Sequence, residues 1–165
     1  MSFSPDTIVI DSLEPADWPK ARAIYLEGIA TGQATFETDA PDWKRWDAGH
    51  HPFCRLAARY AGELAGWAAL SPGSTRHCYR GVAEVSLYVG ERYRRRGLGR
   101  RLLEQVILEA PRHGIWTLQG VTFPENEASV RLQLACGFRL VGRREKIAQL
   151  NGIWRDTVLL ELRMI

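Results

Sequence analysis

Glu84-Val85-Ser86-Leu87-Tyr88-Val89-Gly90-Glu91-Arg92-Tyr93-Arg94-Arg95-Arg96-Gly97-Leu98-Gly99-Arg100 changes character twice in one short stretch. The run Val82 to Val89 is rich in β-branched and aromatic residues and predicts a strand. A short basic loop follows. Gly97 then opens a helix to Ala110, with Leu98, Leu102, Leu103, Val106 and Ile107 as a broad apolar stripe. The first turn of a helix presents N–H groups without partners and the positive end of its dipole. Gly97 and Gly99 let a ligand approach the backbone closely, and the flanking arginines add positive charge. The combination is a way to hold a pyrophosphate. Its spacing, R-x-x-G-x-G from Arg94 to Gly99, is neither the GxxxxGK[ST] of nucleotide hydrolases nor the GxGxxG of dinucleotide folds. Taken alone, R-x-x-G-x-G reads equally well as a solvated basic turn.

A second pattern lies downstream, N-x-x-S-V-x-L-x-x-x-C-G-F, running from Asn126 to Phe138. Asn126 or Ser129 suits a helix start, the helix runs to Cys136, and Gly137 occupies the C′ position that favours glycine. Upstream, Thr7 to Ile10 predicts a first strand and Ala16 to Ala30 a helix, with Ser12 or Asp17 as cap and Gly32 as stop. Thr35 to Pro41 reads as loop and Trp43 to Ala48 as a short helix. Arg55–Tyr60 and Leu64–Leu70 form a hairpin about Ala61-Gly62-Glu63, and Ser71 to Ser74 is a turn. Trp116–Val121, Phe138–Arg143 and Ile153–Leu162 complete the strands. The order implies one α/β (α+β) domain over residues 1–165, with helices flanking a central sheet.

Composition agrees with a globular chain. Its 165 residues are 45% hydrophobic and 25% charged, enough to bury a core without staples. Six tryptophans imply that several wall a core or pocket. The net charge of +3 requires no polyanionic partner, although six arginines fall between Arg92 and Arg101. The three cysteines, Cys54, Cys78 and Cys136, are widely spaced and read as reduced thiols, and the four histidines show no metal-ligand spacing. The opening residues MSFSPDTIVI lack a leader pattern, and no apolar run suits a membrane span. The expectation is a cytoplasmic protein without metal, membrane or nucleic-acid partner.

Together, the strand, the Arg94–Gly99 loop and the Asn126–Phe138 string resemble the GNAT superfamily of N-acetyltransferases. Three further segments resemble its phosphinothricin and methionine sulfoximine branch: Ile24–Ala30 with Ala34–Thr38, Val82–Val89, and Leu150–Asp156. The resemblance implies a twisted, mixed but mostly antiparallel sheet and acetyl-CoA as cosubstrate. It implies that Arg94, Arg95, Arg96, Gly97, Leu98, Gly99 and Arg100 cradle the pyrophosphate, and that Leu87, Tyr88 and Val89 bond the pantetheine arm as a neighbouring strand does. Asn126 and Ser129 lie on the pantetheine side. A homodimer is also expected, since the family often forms dimers.

Acetyl transfer needs a neutral amine, so a base must take a proton. Glu84, a carboxylate within an apolar strand beside the expected thioester, is the candidate; an ordinary salt-bridged Glu is the alternative. Family members often place a proton-donating Tyr or His where Gln133 stands, and some place a His where Asn151 stands; neither amide does acid–base work. Phe36 and Glu37 are candidates for lining the acceptor pocket. Arg76 and Arg80 could fork onto an acceptor carboxylate, or be solvated surface residues. Trp154 and Asp156 fit the branch pattern, and a buried Trp with a nearby capping Asp is the simpler reading. The expected acceptor is a small amino-acid-like amine. The alternatives are a polyamine, an aminoglycoside, a protein N-terminus, or a CoA-binding module without turnover.

Overall fold

A computed structural model describes residues 7–164; residues 1–6, part of the opening read above as lacking a leader, lie outside the described residues. Seven strands form one sheet: β1 (Ile8–Ser12), β2 (Leu56–Tyr60), β3 (Glu63–Pro72), β4 (Val82–Val89), β5 (Thr117–Thr122), β6 (Arg139–Leu150) and β7 (Ile153–Arg163). Their spatial order is β1-β2-β3-β4-β5-β7-β6. All neighbours are antiparallel except β4 and β5, which pair in parallel and are joined through helix α3 (Leu98–Glu109). Helices α1 (Trp18–Ala30), α2 (Trp43–Gly49) and α4 (Glu127–Ala135) complete the architecture. It is the mixed, mostly antiparallel sheet flanked by helices that the resemblance implied.

The period-2 alternation of the strands divides the core in two. On one face Leu98, Leu102, Leu103 and Val106 of α3 pack on Ala68, Leu70, Leu118, Val158 and Leu160, with α4 alongside through Val130 and Leu132. On the other, Trp18, Ala21 and Ile24 of α1 and Trp46 of α2 pack on Ala57, Trp67 and Ala69. Four of the six tryptophans gather there: Trp18–Trp46 centroids are 5.0 Å apart, Trp43–Trp46 5.4 Å and Trp46–Trp67 5.6 Å.

Four local expectations change. Residues 15–17 form a 3₁₀ turn, so α1 begins at Trp18; Asp17 stands at its N-cap but makes no capping bond, because Arg59 and the Glu14 N–H hold its carboxylate. Ser71 and Pro72 remain in β3 rather than turning. The last hairpin is far longer than expected: β6 runs to Leu150, and Asn151-Gly152, both at positive φ (50° and 79°), make its two-residue turn. A register break between Arg144 and Ala148, with Lys146 at φ 47°, had hidden this strand. Trp154 is 55% exposed rather than buried, and Asp156 caps no helix but accepts the Lys146 N–H at 2.8 Å within that bulge.

Candidate active site

β4 and β5 hydrogen-bond only from Val82–Thr117 to Glu84–Gln119; beyond Glu84 they part, while β4 stays paired with β3 throughout. The Gly90 N–H bonds Ala65 O at 2.8 Å, which fixes the phase of the β3–β4 ladder. Tyr88, Ser86 and Glu84 therefore direct their main-chain groups to β3, whereas Val85, Leu87 and Val89 direct theirs toward the gap beside β5. A cleft of about 1180 Å³ occupies this gap. Of the expected strand contacts, Leu87 and Val89 offer backbone to it. Tyr88 lines it with its side chain.

One end of the cleft is the N-terminus of α3. Gly97, the N-cap, has φ +81° and no side chain to serve the first-turn amides of Leu98, Gly99 and Arg100. Gly99 has a different role: a Cβ there would lie 3.3 Å from Leu132 and 3.7 Å from Leu87, so its smallness seats α3 against α4 and β4. Arg95 also holds a positive φ, 63°, in the turn before it. Arg94, Arg95 and Arg100 line the cleft, with Arg94 Nε on Val89 O at 3.3 Å and Arg100 Nε on Glu104 at 2.8 Å; Arg96 is exposed outside it. Asn126 caps α4, accepting from the Ser129 N–H at 3.3 Å, and donates to Gln33 O at 3.2 Å; both residues line the cleft. Gln133 is buried, its amide fastened to Thr122 Oγ1 at 2.9 Å and Ser129 Oγ at 3.2 Å, so it braces α4 on β5. Its Oε1 and the Thr157 hydroxyl are buried without partners among the described residues, and both residues line the cleft.

The other end belongs to the face that carries α1 and α2. Glu84 is half-buried there, and burial raises its pKa above the ordinary carboxylate value, opposed by the positive charge of Arg144. Phe36 packs edge-on against Phe123 at 4.9 Å, and Glu37 lines the same end. Tyr25 and Tyr88 meet at a tilt with ring centroids 4.7 Å apart, and burial is the chief cause that raises both phenol pKa values. Tyr25, Glu37, His50, Ser86 and Tyr88 also line a side chamber of about 410 Å³ that reaches Trp46 and Trp67.

His50 was not singled out in the sequence. It stacks on Trp46 at 4.2 Å, and its Nδ1 donates to Trp46 O at 2.7 Å. Burial lowers its pKa, so the ring is neutral and Nε2 is an acceptor for a ligand. Arg76 and Arg80, by contrast, are exposed on the loop before β4 and do not line the cleft: Arg80 stacks over Trp116 at 5.3 Å and bonds His77 O, and Arg76 lies over Tyr79. Asn151 sits at the hairpin tip, where its φ rather than any chemistry accounts for an Asn. Among the described residues no group of three or more His, Cys, Asp and Glu is placed to hold a metal ion, and no helix is long and apolar enough to cross a membrane.

A gap in the sheet edged by β4 main-chain groups that no strand takes, ending on an uncapped helix start with three arginines, suits a long phosphorylated thioester. The family model described as Acetyltransferase (GNAT) family matches residues 15–138. The chain belongs to the GNAT acetyltransferase family. This acetyltransferase is 34% identical over 155 residues to a phosphinothricin N-acetyltransferase of Alcaligenes faecalis, covering 88% of this chain and 77% of that one. It is 28% identical over 155 residues, 90% of either chain, to an L-methionine sulfoximine/L-methionine sulfone acetyltransferase of Pseudomonas paraeruginosa. Its fold matches the crystal structure of a phosphinothricin acetyltransferase from Sinorhizobium meliloti in complex with acetyl-CoA, with TM-score 0.84 and 25% identity over 95% of this chain and 88% of that one. The chain is an acetyl-CoA-dependent N-acetyltransferase.

Proposed function

We propose that this enzyme acetylates the amine of a small amino-acid-like acceptor, of the phosphinothricin or methionine sulfoximine and sulfone type, by direct attack in a ternary complex. One observation carries the mechanism: the half-buried Glu84 stands at the last paired position before β4 and β5 separate. The backbone of Leu87 and Val89 and the first-turn amides of Leu98, Gly99 and Arg100, with Arg94 and Arg95, would hold acetyl-CoA, with Asn126 and Ser129 beside it. Acetyl-CoA supplies an acetyl thioester whose carbonyl carbon the amine attacks.

Glu84 removes a proton from the bound ammonium group, and its raised pKa makes its carboxylate the stronger base. As the C–N bond forms and the C–S bond breaks, the main-chain N–H groups of Leu87 and Val89 stabilise the charge gathering on the carbonyl oxygen. The sulfur departs as thiolate, a good leaving group with a thiol pKa of about 8.5, and takes up the second proton that the acylated nitrogen loses, so no acid is required where Gln133 stands. The acceptor assignment is supported by the two relatives' activities and by the small polar enclosure about Glu37, Glu84 and Ser86. The same reading sets one domain at work in the cytoplasm as a homodimer, for which the exposed apolar Leu140, Val141, Ile147, Ile153 and Trp154 of the last hairpin speak.

The test is thiol release from acetyl-CoA against phosphinothricin, methionine sulfoximine, methionine sulfone, spermidine, an aminoglycoside and a short peptide. Release with the first three alone is the expected result. Release only with a cationic amine or the peptide overturns the acceptor class and keeps the acetyltransferase.

A further inference from the structure

An amino-acid acceptor brings a carboxylate within a few bonds of the amine that must reach Glu84. Two carboxylates side by side repel each other unless a cation stands between them. Arg76 and Arg80 do not supply it: on the exposed loop before β4, Arg76 lies over Tyr79, and Arg80 lies over Trp116 and bonds His77 O. Arg155 is committed to Gly32 O at 3.0 Å, Gln33 Oε1 at 2.6 Å and Glu125. Arg143 pairs with Asp156.

Arg144 is different. It is exposed, and its side chain has no ion pair or hydrogen bond among the described residues. Its charge nevertheless reaches Glu84. The ladder explains how. Arg144 is the register partner of Thr157, and both face the side of the sheet that carries Glu84 and its partner Gln119. The register breaks immediately after Arg144, and Asp156 takes both the Lys146 N–H and Arg143. The neighbouring cation and the bulge are thus tied down while Arg144 is left unspent. Thr157 is 2% exposed, lines the cleft, and keeps a hydroxyl with no partner among the described residues.

We infer that Arg144, with the Thr157 hydroxyl beside it, binds the carboxylate of the acceptor and so selects amines that carry an anion. The guanidinium gives a two-pronged contact that a planar carboxylate fits, and the hydroxyl gains the partner it lacks. This assignment rests on the proposed acceptor class.

The experiment compares wild type, Arg144→Leu and Arg144→Lys on methionine sulfone and on methionine sulfone carboxamide, whose carboxylate is masked. Arg144→Leu is expected to raise KM for methionine sulfone about tenfold or more, as loss of a charge-assisted hydrogen bond does. KM for acetyl-CoA and the kinetics with the carboxamide stay unchanged, and Arg144→Lys falls between. An unchanged KM for methionine sulfone in Arg144→Leu overturns the assignment while acetyl transfer stands, as does an equal loss on both substrates. A wild-type enzyme that acetylates neither substrate but turns over a cationic amine overturns the acceptor class, and this assignment with it.

Discussion

The two ends of the cleft are built on different plans. The α3 end is made of main chain: the groups of Leu87 and Val89 that no neighbouring strand takes, and amides exposed because Gly97 offers no cap. The proposed acceptor end is made of side chains from separate elements: Glu84 of β4, Phe36 and Glu37 of the loop after α1, His50 after α2, and Thr157 of β7, whose register partner is Arg144 of β6. A main-chain site needs only the right local conformation and keeps its shape across many sequences. A side-chain site is only as specific as the packing that brings distant segments together. The difference explains how one family holds a constant cosubstrate while its acceptors vary.

The sharpest way to separate the ends is Glu84→Gln. It is expected to lower kcat by about 10²–10⁴-fold, the range of general base catalysis, with acetyl-CoA binding unchanged by calorimetry. The same substitution is expected to hold or raise the melting temperature at pH 7. Burial raises the folded-state pKa of Glu84 above its ordinary 4.5, so its contribution to stability is present below that value and is lost as pH rises through the folded pKa. Replacing the carboxylate removes the cost of its buried charge. A falling melting temperature with an intact kcat would make Glu84 a structural ion-pair residue.

Gly97→Ala addresses the opposite end. Forcing an L side chain to φ +81° costs about 1–2 kcal/mol, so the Kd of acetyl-CoA should weaken about tenfold while KM for the amine holds. Equal weakening of both would show that the two ends are not independent. The acid limb of the pH profile of kcat/KM for the amine should lie above pH 4.5, the ordinary carboxylate value, and vanish in Glu84→Gln. The smallest effect belongs to His50→Phe, which keeps the stack on Trp46 and removes Nε2: KM for the acceptor should change about 2–10-fold, the worth of one neutral hydrogen bond, with the Kd of acetyl-CoA fixed. A shift in acetyl-CoA binding instead would place His50 outside the acceptor end.

The legibility of each end in the sequence follows the same division. Arg94 to Gly99 and Asn126 to Phe138 are contiguous strings, and each element they announced is in place. Their detail was less legible: Arg96 does not line the cleft, and the smallness of Gly99, which does line it, also seats α3 against Leu132 and Leu87. Arg76 and Arg80 suggested acceptor contacts because they precede Glu84 in sequence, but the loop between β3 and β4 carries them outward. Arg144 escaped notice because the charged run Arg143–Lys146 resembles a loop, and only the bulge opposite Asp156 restores the strand. A lone His50 carries no sequence signal at all.

The sequence by itself determined the alternation of strands and helices, the uncapped glycine start of α3 and the single carboxylate in β4. These depend on residues within a few positions of one another, where propensity, capping and φ preferences act. Only the tertiary structure decided where β4 leaves β5, which arginines line the cleft, that His50 and Thr157 line the same cleft as Glu84, and that Arg144 pairs with Thr157. Those facts depend on register between strands far apart in the chain, and a one-residue slip would turn every such side chain to the opposite face.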